Sequence, residues 1–180
     1  MVDWNEHRSP AELAELLARV DNMKDVASLT PNQFRTLFDR VYQHTEDLHA
    51  LWELGGAAAF YLHKNPDALA VPTELPRRLL ASDDADMRVV GLKLLIRCPL
   101  PDDEIVEAIL GALIRRDGYE SCGGICELNK FLSARHAIGG TLDRLLAARL
   151  SCALEPLVDD GVEVHAAAAV ALGWLGEVAA

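Results

Sequence analysis

Two stretches of this chain, 77 residues apart, repeat one another in kind and order. In "LLASDDADMRVVGLKLL" (79–95) and "EPLVDDGVEVHAAAAVAL" (155–172), Met87 aligns with Val164, Arg88 with His165, Gly91 with Ala168 and Leu95 with Leu172. The offset is close to twice 38 or 39, so the same unit should recur near positions 48 and 125. Leu48 in "EDLHALWELGG" and Ile125 in "GGICELNKFLS" fill those places. A period of that length is the mark of stacked helical hairpins, because one such unit buries its apolar face only against neighbours of its own kind.

The residue types agree. Of the 180 residues, 51% are apolar but only 6% aromatic, and no segment alternates as a half-buried strand would. Ala and Leu in those proportions favour closely spaced helices over a sheet. The expected fold class is all-α, with about nine helices. "SPAE" (9–12) and "TPNQ" (30–33) are capping boxes with Pro at the first helical position. A third helix is expected over 46–63, ending before Asn65-Pro66, and Pro72 and Pro76 bracket a short helix near "PRRLLAS". Later breaks fall at "CPLPDDE", "RRDGYES" and "AIGGT". No flexible linker interrupts the chain, so one domain is expected.

The segments from Asp83 to Leu95 and from Asp159 to Leu172 resemble the HEAT-repeat (armadillo-like) family, in "DDADMR" and "DDGVEVHAAAAVALGWLG". The resemblance is faint near 48 and 125 and leaves residues 1–29 outside. It implies a right-handed stack of about four antiparallel helix pairs, over roughly 30–66, 67–100, 101–140 and 141–180, with 1–29 as an N-terminal cap. The family's arginine position holds His49, Arg88, Cys126 and His165, so its Asp–Arg ladder lacks the arginine at three of four places. Asp84, and Asp159 or Asp160, are suited to cap the second helices.

Charge narrows the partners. Asp and Glu number 28 against 17 Lys and Arg, a net charge of −11, and residues 74–100 alone are slightly positive. A nucleic-acid binder needs a basic face to release counterions from phosphate, so a basic protein is the favoured partner. The opening "MVDWNEHRSP" lacks the apolar core of a signal peptide, and no uncharged apolar run reaches the roughly 20 residues of a membrane span. The expected localisation is cytoplasmic, with Cys98, Cys122, Cys126 and Cys152 as small buried hydrophobes.

No catalytic motif stands out: there is no His-Glu-x-x-His, Gly-x-Ser-x-Gly, phosphate loop or dinucleotide fingerprint. Equivalent histidines His49 and His165 lie three units apart, on the order of 30 Å at helix-packing distances, too far to share an ion. The acidic run "PDDEIVE" reads as a helix start complementing the dipole, and lacks the spacing of a calcium loop. No catalytic residue, metal or cofactor is therefore expected.

What remains is a surface. The resemblance implies that the second helices line a concave side, where His49, Glu53, Arg88, Lys93, Glu127, Lys130 and His165 point outward. Tyr119 in the loop "RRDGYE" and Trp174 in the last helix join them as candidate protein contacts. The final segment, "VEVHAAAAVALGWLGEVAA", is apolar around most of its circumference, so it is wedged into the stack, meets a second copy or another protein, or belongs to a longer chain. The expected function is an adaptor or inhibitor on a HEAT-like scaffold, such as a bacterial immunity protein against a basic toxin. The alternatives are a HEAT-like enzyme, similar to helical DNA-alkylation glycosylases or bilin lyases, and a structural subunit of an assembly.

Overall fold

The computed structural model describes residues 8–18, 22–115, 117–159 and 162–179. Ten α-helices carry this part of the chain: α1 (Pro10–Ala18), α2 (Asn22–Ser28), α3 (Pro31–His44), α4 (Leu48–Lys64), α5 (Glu74–Leu80), α6 (Ala85–Leu95), α7 (Asp102–Ile114), α8 (Gly118–Ala137), α9 (Arg144–Leu154) and α10 (Val162–Val178). A 3-10 turn, Glu155–Asp159, links the last two. Among the described residues there is no strand, and a lone bridge in which the Leu142 N–H donates to the Val178 carbonyl (2.7 Å) is the nearest approach to one. The chain is all-α, as expected.

Local chemistry sets the helix ends. Ser9 and Glu12 exchange hydrogen bonds as a capping box ahead of α1, and Thr30 and Gln33 do so ahead of α3. Asp47, Asp84, Asp117 and Asp143 each accept backbone N–H groups at the start of a helix. Such caps satisfy donors that a helix start leaves orphaned. Helix α8 stops in a Schellman turn: Gly139 has φ +66°, its N–H donates to the His136 carbonyl, and the Gly140 N–H donates to that of Arg135.

Helix α8 departs from expectation. Residues 118–120 form its first turn rather than a loop, because Asp117 Oδ1 accepts from the N–H groups of Tyr119 (3.1 Å) and Glu120 (3.0 Å). That cap outweighs the poor helix propensity of Gly118. Ile125 therefore lies in the interior of α8, whereas Leu48 opens α4. The other repeat pair holds its register. Met87 and Val164 are each the third residue of their helix and each half-buried, and Gly91 and Ala168 are both buried.

Helices α4, α6, α8 and α10 pack side by side in that order, and they run in one direction. Arg88 near the start of α6 pairs with Glu120 near the start of α8, while His63, Arg97 and Lys130, further along α4, beyond α6 and along α8, line one cavity. Between α8 and α10, Asn129 Nδ2 donates to the Ala167 carbonyl (3.0 Å), and seven residues further along both helices His136 meets the Trp174 ring, 5.2 Å between centroids. The intervening helices pack against this row and each other: α5 on α6, α7 on α8, and α9 on α7 and α10.

Small residues make these approaches possible. A Cβ at Gly91 would lie 2.9 Å from Leu80 Cγ and 3.0 Å from the Pro76 carbonyl oxygen, and one at Gly123 would lie 3.0 Å from Val89 Cγ2. The buried apolar side chains form two clusters, with Leu100 packed against both. One is built mainly from α1–α5 around Phe34, Phe38 and Tyr61, the other from α7–α10 around Ile109, Leu128 and Leu150. Helix α6 is the wall between them, sending Leu94 to the first cluster and Leu92 to the second.

Candidate functional site

The same row of helices carries most of the residues singled out from the sequence, and their surroundings divide them sharply. Arg88 faces inward. Its Nε and Nη2 donate to the two Glu120 carboxylate oxygens (3.0 and 2.7 Å) and its Nη1 to the Ser82 carbonyl (2.9 Å). Arg115 donates to the same carboxylate from the other side, and Glu120 is fully buried. Burial pushes the Glu120 carboxyl up, but the hydrogen bonds from Arg88 and Arg115 outweigh it and hold the group below the ordinary glutamate range. This triad ties α6, α8 and the end of α7 together, so Arg88 is an internal brace and not an outward contact.

Glu127 is also inside, 1% exposed, with Oε1 held by Lys130 Nζ at 2.6 Å and Oε2 without a hydrogen-bond partner among the described residues. The acidic run at the start of α7 is likewise more than a solvated helix end. Asp102 pairs with Arg135, Glu104 with Arg77 (2.7 Å) and Glu107 with Arg149, joining α7 to α8, α5 and α9.

The remaining candidates lie at the surface or its edge. His49 is exposed at the start of α4, 3.9 Å from the half-buried Glu53 and edge-on to the Trp52 ring. Burial raises the Glu53 carboxyl, and His49 partly offsets that. His165 is exposed, and its Nδ1 meets the Val158 carbonyl oxygen. Tyr119 is 56% exposed, its phenol pushed up by partial burial and by the neighbouring Asp86 carboxylate. Trp174 is half-buried against His136 and the second cluster. Asp160, Arg116 and the side chains of Asp159 and Glu163 lie outside the described residues.

The last helix is neither wedged centrally nor covered all round. Ala168, Ala171, Leu175 and Val178 are buried, mainly against α8 and α9, whereas Ala166, Ala169, Val170 and Gly173 are exposed. The cysteines divide too. Cys98 is buried, which pushes its thiol up to about 11, but Cys126 and Cys152 are exposed and Cys122 half-buried, so they are not all core residues as expected. Among the described residues no three His, Cys, Asp or Glu side chains converge as metal ligands, and no helix is long and apolar enough to cross a membrane.

One concavity was not visible in the sequence. A cleft of about 700 Å³ opens where α4, α6 and α8 end, and a smaller one of about 280 Å³ lies between the same helices; His63, Arg97 and Lys130 line both. The signal for it was indirect: residues 74–100 are the only segment with a positive balance, and Lys93 and Arg97 belong to it.

No protein-family model, curated protein or solved structure matches this chain.

Proposed function

We propose that this chain is a protein-binding scaffold of the HEAT-like type, an adaptor or inhibitor without chemistry of its own. The observation that carries the reading is the row of four like-directed helices, α4, α6, α8 and α10. A right-handed superhelical stack of helix pairs would produce such a row, with α3/α4, α5/α6, α7/α8 and α9/α10 as its pairs and α1 and α2 as the cap. Like-directed neighbours present one continuous surface, the form that helical-repeat proteins use for extended contacts.

The disposition of the polar groups supports binding over catalysis. The Glu120 carboxylate, its pKa lowered by its partners, is enclosed by two arginines that brace helices, and the exposed histidines His44, His49, His63, His136 and His165 are spread over α3, α4, α8 and α10. A general base needs a proton to abstract within hydrogen-bond reach, and Glu120 faces no open volume. The wide cleft instead has a mostly apolar floor, the composition of a docking groove. An immunity protein against a toxin, acting in the cytoplasm, remains the most economical biological setting for an acidic scaffold of this size, and a homodimer through the exposed side of α10 is the accessory proposal. The test is affinity capture with the whole chain, followed by reconstitution of the recovered protein and this one from pure components. A stoichiometric complex is expected; recovery of nucleic acid alone, or no complex from pure components, would overturn the proposal.

A further inference from the structure

The net charge of −11 points to a basic partner, but the cleft has the opposite sign. Its rim carries His63, Lys93, Arg97 and Lys130 across the two adjoining cavities, and among the described residues neither cavity has an Asp or Glu in its lining. Among the described residues Lys93 and Arg97 pair with no carboxylate. Arg97 donates one N–H to the Lys93 carbonyl (2.7 Å), which answers part of the partial negative charge at the end of α6. Lys130 and Arg135 do have carboxylate partners, Glu127 and Asp102. Lys93 and Arg97 thus leave a positive charge beside this concavity that no neighbouring carboxylate neutralises among the described residues. Beneath them the floor is aliphatic: Leu62, Ile96, Leu100, Ile105 and Ala134, with Phe131 as the aromatic member.

We infer that this cleft docks an acidic, amphipathic segment of the partner protein, with one or two large apolar side chains on the floor and flanking carboxylates against Lys93 and Arg97. The inference rests on the protein-binding reading and fixes the chemistry of the bound segment. Charge complementarity selects the sign, since a basic segment would meet like charges here and an acidic one opposite charges. Shape and floor argue against nucleic acid. A strand of phosphates needs a longer run of cations and aromatic platforms for its bases, and a single Phe does not supply them. A volume of about 700 Å³ is enough for a few side chains of a peptide.

The test uses a random dodecapeptide library displayed on phage and panned against the full chain. Enriched clones should carry Asp or Glu beside Leu, Ile or Phe. A synthetic peptide from such a clone should bind less tightly as salt rises, and lose about tenfold or more in affinity to Arg97→Glu and to Lys93→Glu. Arg97→Gln, which keeps the stem and removes the charge, should show a smaller loss in the same direction and guards against misfolding, checked by circular dichroism. Acidic clones indifferent to these substitutions would overturn the inference, as would displacement of such a clone by a short oligothymidylate. Enrichment of basic clones that bind elsewhere would overturn it and leave the scaffold reading standing. Failure to enrich any clone would count against both.

Discussion

The two halves of the molecule solve helix packing by different means. Around α3 and α4 the interior is aromatic: Phe34 stacks on Tyr61 at 4.0 Å, Phe38 lies 5.8 Å from Tyr42, and the Tyr61 hydroxyl donates to the Leu29 carbonyl (2.7 Å). Around α7–α10 the interior is mainly aliphatic, with Phe131 as its buried aromatic, and charges bridge its helices: Arg88 and Arg115 to Glu120, Arg135 to Asp102, Arg149 to Glu107. Large rings fill space and fix spacing by shape. Ala, Gly and Leu give close approach but many near-equivalent registers, and ion pairs between specific partners select one of them. The first half is held by bulk, the second by bulk and addressed charges.

The sharpest way to break that contrast is to remove a ring. Phe34→Ala should cost about 3–5 kcal/mol, read by urea denaturation, with little dependence on salt or on pH between 5 and 8. Glu120→Gln should cost about 3 kcal/mol, because it leaves the half-buried Arg88 without its counter-charge. A loss below about 1 kcal/mol would show that the triad behaves as a surface pair and that charge does not hold the second half.

Backbone proximity gives a finer probe on the helix shared by both halves. Gly91→Ala puts a methyl within 3.0 Å of a backbone carbonyl oxygen and should destabilise by about 1–3 kcal/mol. Gly56→Ala, also mid-helix but with no neighbouring atom within 4 Å of the new methyl, should stabilise by about 0.5–1 kcal/mol. Opposite signs for the two would confirm that α5 and α6 meet at the modest distance only glycine allows.

The smallest effect is on acid stability. The folded Glu120 carboxyl sits below its unfolded value, about 4.3, so the unfolded chain takes up the proton first as pH falls. The triad's contribution is therefore present above that value and lost as pH drops through the folded one. Glu120→Gln should flatten this part of the pH–stability curve; an unchanged acid limb would place the titration on other carboxylates.

Legibility in the sequence followed the range of the interaction. Caps act within four residues, so Ser9 with Glu12, Thr30 with Gln33 and Asp84 ahead of α6 were all readable. The register of α6 against α10 was readable because small residues recur where helices touch. The partner of Arg88 was not, since Glu120 is 32 residues away and is chosen by packing, not by local pattern. For the same reason Asp102 and Glu107, whose partners lie 33 and 42 residues away, looked merely solvated; Glu127 has a local partner in Lys130, and it was its burial that no local pattern showed. The cleft depends on where three helices end together, and no single segment encodes that.

The claim on which this account turns is that α6, α8 and α10 lie side by side in one direction and register. Isotope-edited nuclear Overhauser spectra of the labelled protein test it directly. Cross-peaks are expected from the Val89 methyls to the Gly123 α-protons, and from the His136 ring to the Trp174 ring, in the same sample. Assigned spectra lacking both, with Val89 or Trp174 contacting other helices instead, would contradict it.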